Sequence, residues 1–168
     1  LQTISDESRQ ALKADAASVY VHDVVRGELR IAAVAGLPDD FLTRSAPIAA
    51  TIYANLLSAN QPTFVVSDLR TMPDLPSAAM YQDYGLVTIA LAGMLRDEQL
   101  IGVLTVKSIG RTRIFTSDEL ALLATFANQA AVAVQNAQLL AAEREQRIFM
   151  EALRDTAAAL NSTLNVDE

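Results

Sequence analysis

The spacing of apolar residues changes several times along this chain, and each change marks an element. Ile4, Ser8, Ala11 and Leu12 share one face of a helix over residues 4–14, with charges opposite. "SVYVHDV" (18–24) is β-branched and aromatic and predicts a strand. "RGEL" (26–29) makes a turn, and "LRIAAVA" (29–35) returns as the second strand of a hairpin. "GLPDD" then breaks the pattern. Pro47 fits a helix's first turn, and Ile48, Ile52, Leu56 and Ala59 follow at helical spacing until "NQP" (60–62) ends the element. "TFVVSDL" (63–69) predicts a short strand. Pro73 and Pro76 mark a loop, and "SAAMYQDY" (77–84) gives one or two helical turns before Gly85. "LVTIALAGML" (86–95) and "LIGVLTVK" (100–107) are apolar strands. The tight polar turn "RDEQ" (96–99) joins them into an antiparallel hairpin.

The final helix has the clearest start. Thr116 and Glu119 stand as T-x-x-E, a capping box in which each side chain satisfies the other residue's free amide. Phe115 and Leu120 occupy the hydrophobic staple positions. Ala124, Ala127, Ala130, Ala131 and Ala133 let this helix lie close on a sheet. Its second half follows another rule. Leu139, Ala142, Gln146, Phe149, Leu153, Thr156 and Leu160 are spaced 3-4-3-4-3-4, a heptad seam with charged residues outside it. A stripe that narrow suits one partner helix better than a sheet face. A helix from Ser117 to Leu160 would be about 66 Å long, against roughly 30–40 Å for a domain of about 140 residues. Its second half is therefore expected to leave the domain and to pair with its copy in a homodimer.

Alternating strands with terminal helices predict an α+β fold, a central antiparallel β-sheet flanked by helices, with a long C-terminal helix extending out of the domain. Two parts are expected: a domain over 1–138, and over 139–168 a coiled-coil-like signalling helix leading into a following domain. Composition narrows the function. The net charge of −7 without a Lys/Arg cluster argues against nucleic acid. The longest apolar stretch, Val87 to Leu95, is strand-sized, so no membrane contact is expected of this segment. Zero cysteines exclude thiol chemistry, disulfides and thiolate zinc sites, and fit a cytoplasmic setting. A single histidine, His22, cannot build a multi-His metal site or a recognisable Ser-His-Asp site, so neither a metal nor catalysis is expected.

Four stretches carry a family resemblance: "ALKADAASVYVHD" (11–23), "QPTFVVSDL" (61–69), "YGLVTIALAGMLRDEQLIGVLTV" (84–106) and "FTSDELALLATFANQAAVAVQNAQL" (115–139). In this order they resemble a GAF domain, the small-molecule-sensing relative of the PAS fold. The family usually has a "PL" in its fifth strand, followed by a Gly-bearing turn; here the strand reads "LAGML" and the turn "RDEQ". Gly93 is expected to supply a bulge or a close backbone approach instead. The ends "ALRDTAAALNSTLNVDE" (152–168) and "LQTISDESRQALKADAASVYV" would join into one continuous unit. The chain is thus expected to be one module of a longer protein, with adjacent signalling domains.

The resemblance implies a cavity between the sheet and the middle helices, and Tyr53, Ser67, Asp68, Tyr81, Tyr84 and Thr88 are placed around it. Asp68 has a second reading as the cap of the turn that follows. Phe115, Asp118 and Glu119 form F-x-x-D-E, one residue short of the spacing in cyclic-nucleotide-binding members, and capping accounts for them. No cofactor is expected: bilin attachment and the family's methionine sulfoxide reduction both use cysteine. The first functional reading is a non-catalytic sensory module of a multi-domain signal transducer, with a sensor histidine kinase as the preferred output. It would bind an unknown small molecule and relay its state through the dimerising helix. The alternatives are a ligand-free dimerisation and relay spacer, and a cyclic-nucleotide-related regulatory domain of a cyclase or phosphodiesterase.

Overall fold

A computed structural model describes residues 1–75 and 77–164, with side chains as far as Ala157. Pro76, the end of the 152–168 lead-in and the Leu160 side chain lie outside what is described. The elements are α1 (Gln2–Ala11), β1 (Ala16–Asp23), β2 (Glu28–Ala35), α2 (Asp40–Arg44), β3 (Ile48–Ala49), α3 (Ala50–Ala54) and β4 (Thr63–Val66). A 3-10 turn (Leu69–Thr71), α4 (Ala78–Asp83), β5 (Leu86–Arg96), β6 (Gln99–Ile109) and α5 (Ser117–Leu164) complete the chain. All strands belong to one six-stranded sheet in the order β3-β2-β1-β6-β5-β4, and every pairing is antiparallel. The chain divides into two compact units, Leu1–Ala133 and Val134–Glu168.

Helix α1 packs on β1 and β2. Its buried residues are Ser5 and Ser8, continued by Leu12 just past its end. Ile4 is only half-buried and Ala11 is exposed, so the buried stripe is rotated from the predicted one. Small serines there let helix and sheet approach closely. Gly102 does the same within the sheet: a Cβ on it would lie 2.5 Å from the Tyr20 carbonyl oxygen. The β5–β6 hairpin turns through Asp97 and Glu98, both with positive φ (46° and 65°). That is the geometry of a two-residue type I′ turn, whose twist matches the strands. A register shift falls at Met94/Leu95, one residue beyond Gly93, whose N–H donates to the Pro62 carbonyl.

The predicted helix over 48–59 is mostly not one. Ile48 and Ala49 pair with Leu29 and Glu28 as an edge strand, and α3 then covers only Ala50–Ala54. Ile48 is buried because of this pairing, which outweighs the helical spacing of its neighbours.

Both faces of β5 and β6 are covered for most of their length. On one face lie α2, α3, the 3-10 turn and α4, with a cluster of large side chains that includes Tyr20, Leu29, Phe41, Leu69, Tyr81, Ile89 and Leu91. On the other lie α1 and the first turns of α5, with small and aliphatic residues such as Ala17, Val19, Ala90, Leu104 and Val106. Leu123, Ala127, Ala130 and Ala131 are the buried residues of α5 in the first unit, while Ala124 and Ala133 of the predicted stripe are half-buried. The capping box is present: the Glu119 N–H donates to Thr116 Oγ1 (3.2 Å), and the Thr116 N–H donates to Glu119 Oε2 (2.8 Å).

In the second unit, every residue from Asn136 to Ala157 is exposed. Leu139, Phe149 and Leu153 are 50–63 % exposed. The Thr156 hydroxyl donates back to the Ala152 carbonyl. Among the described residues, no helix is long and apolar enough to cross a membrane.

Candidate functional site

A cavity, partly open past Ile52, lies between the sheet and the middle helices. Its floor comes from β1, β5 and β6 through Tyr20, Ile89, Leu91, Thr105 and Lys107. Its walls come from Ile52, Tyr53, Leu56, Val66, Leu69, Leu75 and Tyr81. Strand alternation explains the floor. Thr105 and Lys107 point to the cavity face of β6, while Leu104 and Val106 point to the α1/α5 face.

Lys107 is the unusual group. It is 1 % exposed, and no carboxylate pairs with it among the described residues. Its Nζ donates to Ser18 Oγ at 2.8 Å and to Thr105 Oγ1 at 2.5 Å. The Tyr20 and Phe41 ring centroids are each 5.9 Å away, a weak cation–π arrangement. Two hydroxyls and two rings do not replace the hydration of an ammonium ion. Burial therefore pushes the Lys107 amine down to about 7.

The phenols around it shift the other way. Burial, and then the neighbouring Tyr53, raises Tyr20 far above its ordinary value. Burial also raises Tyr53 and Tyr81. All three remain neutral donors at any physiological pH. Tyr20 Oη is buried beside the Ser45 and Tyr81 hydroxyls, yet among the described residues it makes no hydrogen bond of good geometry.

Of the six residues placed around a cavity by sequence, Tyr53 and Tyr81 line it. The other four lie elsewhere. Thr88 is on the opposite face of β5; its hydroxyl donates to the Ser67 carbonyl (2.8 Å) and accepts from the Arg113 N–H (3.0 Å). Ser67 itself is exposed. Asp68 caps the 3-10 turn, accepting from the Arg70 N–H (3.0 Å) and pairing with the Arg70 guanidinium (2.7 Å). That guanidinium holds the Asp68 carboxyl below its usual range. Tyr84 stacks edge-on against Phe41 (5.0 Å). It also accepts from Arg44 Nη1, while Arg44 Nη2 pairs with Asp83 at 2.5 Å, tying α2 to α4.

Sequence reasoning missed Tyr20, Thr105 and Lys107. "LIGVLTVK" ends on Lys107 by composition, yet β6 runs to Ile109 because its edge bonds continue to Ser108 and Ile109. The available signal was parity. Val103, Thr105 and Lys107 alternate with Gly102, Leu104 and Val106, so an interior lysine was legible once both faces were known to be covered.

In the link into α5, Asp15, Thr88 and Ser108 bond the segment after β6, and one side chain reaches across it to α1 and α5. The Arg113 guanidinium donates to the Leu12 and Lys13 carbonyls and to Glu119 Oε1, and lies 4.5 Å from the Phe115 ring centroid. It joins the end of α1, the β6–α5 connection and the first turn of α5. His22, half-buried, places Nδ1 3.0 Å from the Leu100 carbonyl, a packing role. Among the described residues, no cluster of three or more His, Cys, Asp or Glu could hold a metal ion.

Solved structures share this architecture. A domain assigned to a two-component sensor histidine kinase of Sinorhizobium meliloti 1021 superposes with a TM-score of 0.67 and 19 % identity, covering 84 % of this chain and 93 % of that one. The GAF domain of a phosphoenolpyruvate-protein phosphotransferase from Coxiella burnetii gives 0.70 and 18 %, covering 84 % of each. A GAF domain/HD domain protein from Geobacter sulfurreducens gives 0.65 and 23 %, covering 82 % and 90 %. These similarities establish the fold alone. No curated protein matches the sequence. The family model for the GAF domain matches residues 1–134, so this chain, with its six-stranded antiparallel sheet and the cavity beneath its middle helices, belongs to the GAF domain family.

Proposed function

We propose that the chain is a non-catalytic sensory module of a cytoplasmic signal transducer, reading a small molecule in the Lys107 cavity and relaying occupancy through α5. The supporting observation is a cavity that combines a buried cation without a carboxylate partner, a Tyr20 phenol that makes no hydrogen bond of good geometry, and aliphatic walls. A packed core has no need of those polar groups, and each costs stability where it stands. Tyr53 and Tyr81 are the predicted ligand residues that this reading keeps. Thr88, Ser67 and Asp68 serve the β4–β5 edge, and Thr88 bonds the Arg113 backbone that leads into α5.

A guest that favours one arrangement of α3, the 3-10 turn and α4 would shift that arrangement only by its difference in affinity for the two. The path outward runs through β5 and Arg113 to the capped start of α5. The part of α5 from Leu139 onward then acts as a signalling helix, pairing with a second copy along Leu139, Ala142, Gln146, Phe149, Leu153, Thr156 and Leu160. Apolar side chains left half-exposed in one chain support that pairing. A histidine kinase is the preferred output, on the likeness to the Sinorhizobium meliloti domain.

The ligand-free spacer remains a second reading, favoured by the cavity's volume of ≈ 40 Å³. Ordinary ligand pockets measure about 300–1,000 Å³. The same volume disfavours a cyclic nucleotide. Thermal melts against nucleotides, amino acids and organic acids separate the readings. A saturable rise in Tm with one compound supports sensing; no response from any compound leaves the spacer. Sedimentation should show a concentration-dependent dimer that Leu153→Asp weakens, and a strict monomer at high concentration would remove the pairing.

A further inference from the structure

We propose that the cavity receives a small monocarboxylate, its oxygens paired with Lys107 and Tyr20 and its short alkyl part against Ile52, Leu56 and Leu69. This rests on the sensing reading and names the ligand class. Three observations select it.

The first is charge. One ammonium faces the cavity and no carboxylate lines it. The titratable groups that line the cavity besides Lys107 are Tyr20 on β1, Tyr53 on α3 and Tyr81 on α4; the remaining lining residues are apolar apart from Thr105. One unit of positive charge compensates one unit of negative charge. A phosphate dianion would bring a second charge into an apolar enclosure with nothing to offset it.

The second is the arrangement of donors. A carboxylate accepts at two oxygens. Lys107, two of whose three protons go to Ser18 and Thr105, supplies one charge-assisted bond to it, and Tyr20 Oη, which makes no hydrogen bond of good geometry, supplies a neutral donor. A bound carboxylate would thus satisfy two buried groups at once.

The third is size. At about 10–15 Å³ for each water-sized centre, ≈ 40 Å³ holds a body of only a few heavy atoms. Acetate fits that bound as it stands, and propionate and butyrate need the walls to give by about one or two heavy atoms. Larger anions require the walls to open further.

Binding is coupled to a proton. The carboxylate pairs with the ammonium form, which in the empty protein gives way to the amine above about 7. Above that pH each binding event takes up a proton, so affinity falls about tenfold per pH unit. The three phenols stay neutral over this range and do not blunt the slope.

The test is thermal melting and calorimetric titration with sodium acetate, propionate and butyrate, against sodium chloride at equal ionic strength and against propionamide and butyramide. A saturable rise in Tm with at least one carboxylate and none with its amide is expected, with affinity falling between pH 7 and 9. Lys107→Met should abolish the response. Tyr20→Phe, which removes one oxygen, should keep the fold and weaken binding about tenfold or more. A carboxylate response equal to that of the amide, or one surviving both substitutions, overturns the proposal. So does the absence of any carboxylate response. If a neutral compound stabilises the protein instead, and Lys107→Met retains that effect, the carboxylate class falls while sensing stands. If no compound of any kind binds, both fall.

Discussion

The two faces of the sheet are built on different rules, although the same strands supply both. Toward α1 and α5, β6 presents Leu104 and Val106, both 0 % exposed, to a surface of alanines and aliphatics. Toward the middle helices it presents Thr105 and Lys107 to three phenols and a void. Among the described residues, the first face buries no charge, and its one unpartnered hydroxyl, Ser5 Oγ, belongs to the helix and not to the sheet. The second holds a buried cation beside a void. Such local conflicts are expected at functional sites. The covers differ as well. α5 is long and firmly capped, whereas α3, the 3-10 turn and α4 have five, three and six residues. Helices that short are not stable without tertiary support.

That contrast can be broken by mutation. The largest effect is expected on the tight face: Leu104→Ala should cost about 2–5 kcal/mol in a urea melt. Next comes pH. Lys107 binds its proton less tightly in the folded chain than in the unfolded one, its value falling from 10.5 to about 7. Between those values the unfolded state holds more protons, so stability rises with pH from about 7 upward; below about 7 both states are protonated and the penalty is constant. The gain from pH 7 to 9 should be about 2 kcal/mol. Lys107→Met should flatten this slope, and at pH 9, where the amine is already neutral, change stability by less than about 1.5 kcal/mol. The smallest effect belongs to the cavity wall. Ile52, 36 % exposed, already borders a void, so Ile52→Ala should cost about 1 kcal/mol. An Ile52→Ala penalty matching that of Leu104→Ala would erase the distinction between the faces.

The sequence was easiest to read where a local rule acts alone. Thr116 and Glu119 form their reciprocal bonds because capping depends on residues three apart. The "RDEQ" hairpin and the alanine stripe of α5 were legible for the same reason. Reading failed where a distant partner decides. Ile48 belongs to a strand because Leu29 is available to pair with it. Thr88 was placed in the cavity, but parity along β5 turns it to the opposite face, where Ser67 and Arg113 hold it. Lys107 looked like a polar strand end, because nothing local says that α2–α4 close over it. Tyr53 and Tyr81 line the cavity and were placed there through the family resemblance. The group that gives the cavity its charge could be found only through the fold.

The most direct measurement of the central claim, that one face is fixed and the other is built to admit a guest, is amide hydrogen exchange on the free chain. The account predicts that α3, residues 69–71 and α4 exchange through low-energy local openings, while β1, β6 and the first turns of α5 exchange only on global unfolding. Protection of the middle helices equal to that of β6 would contradict it.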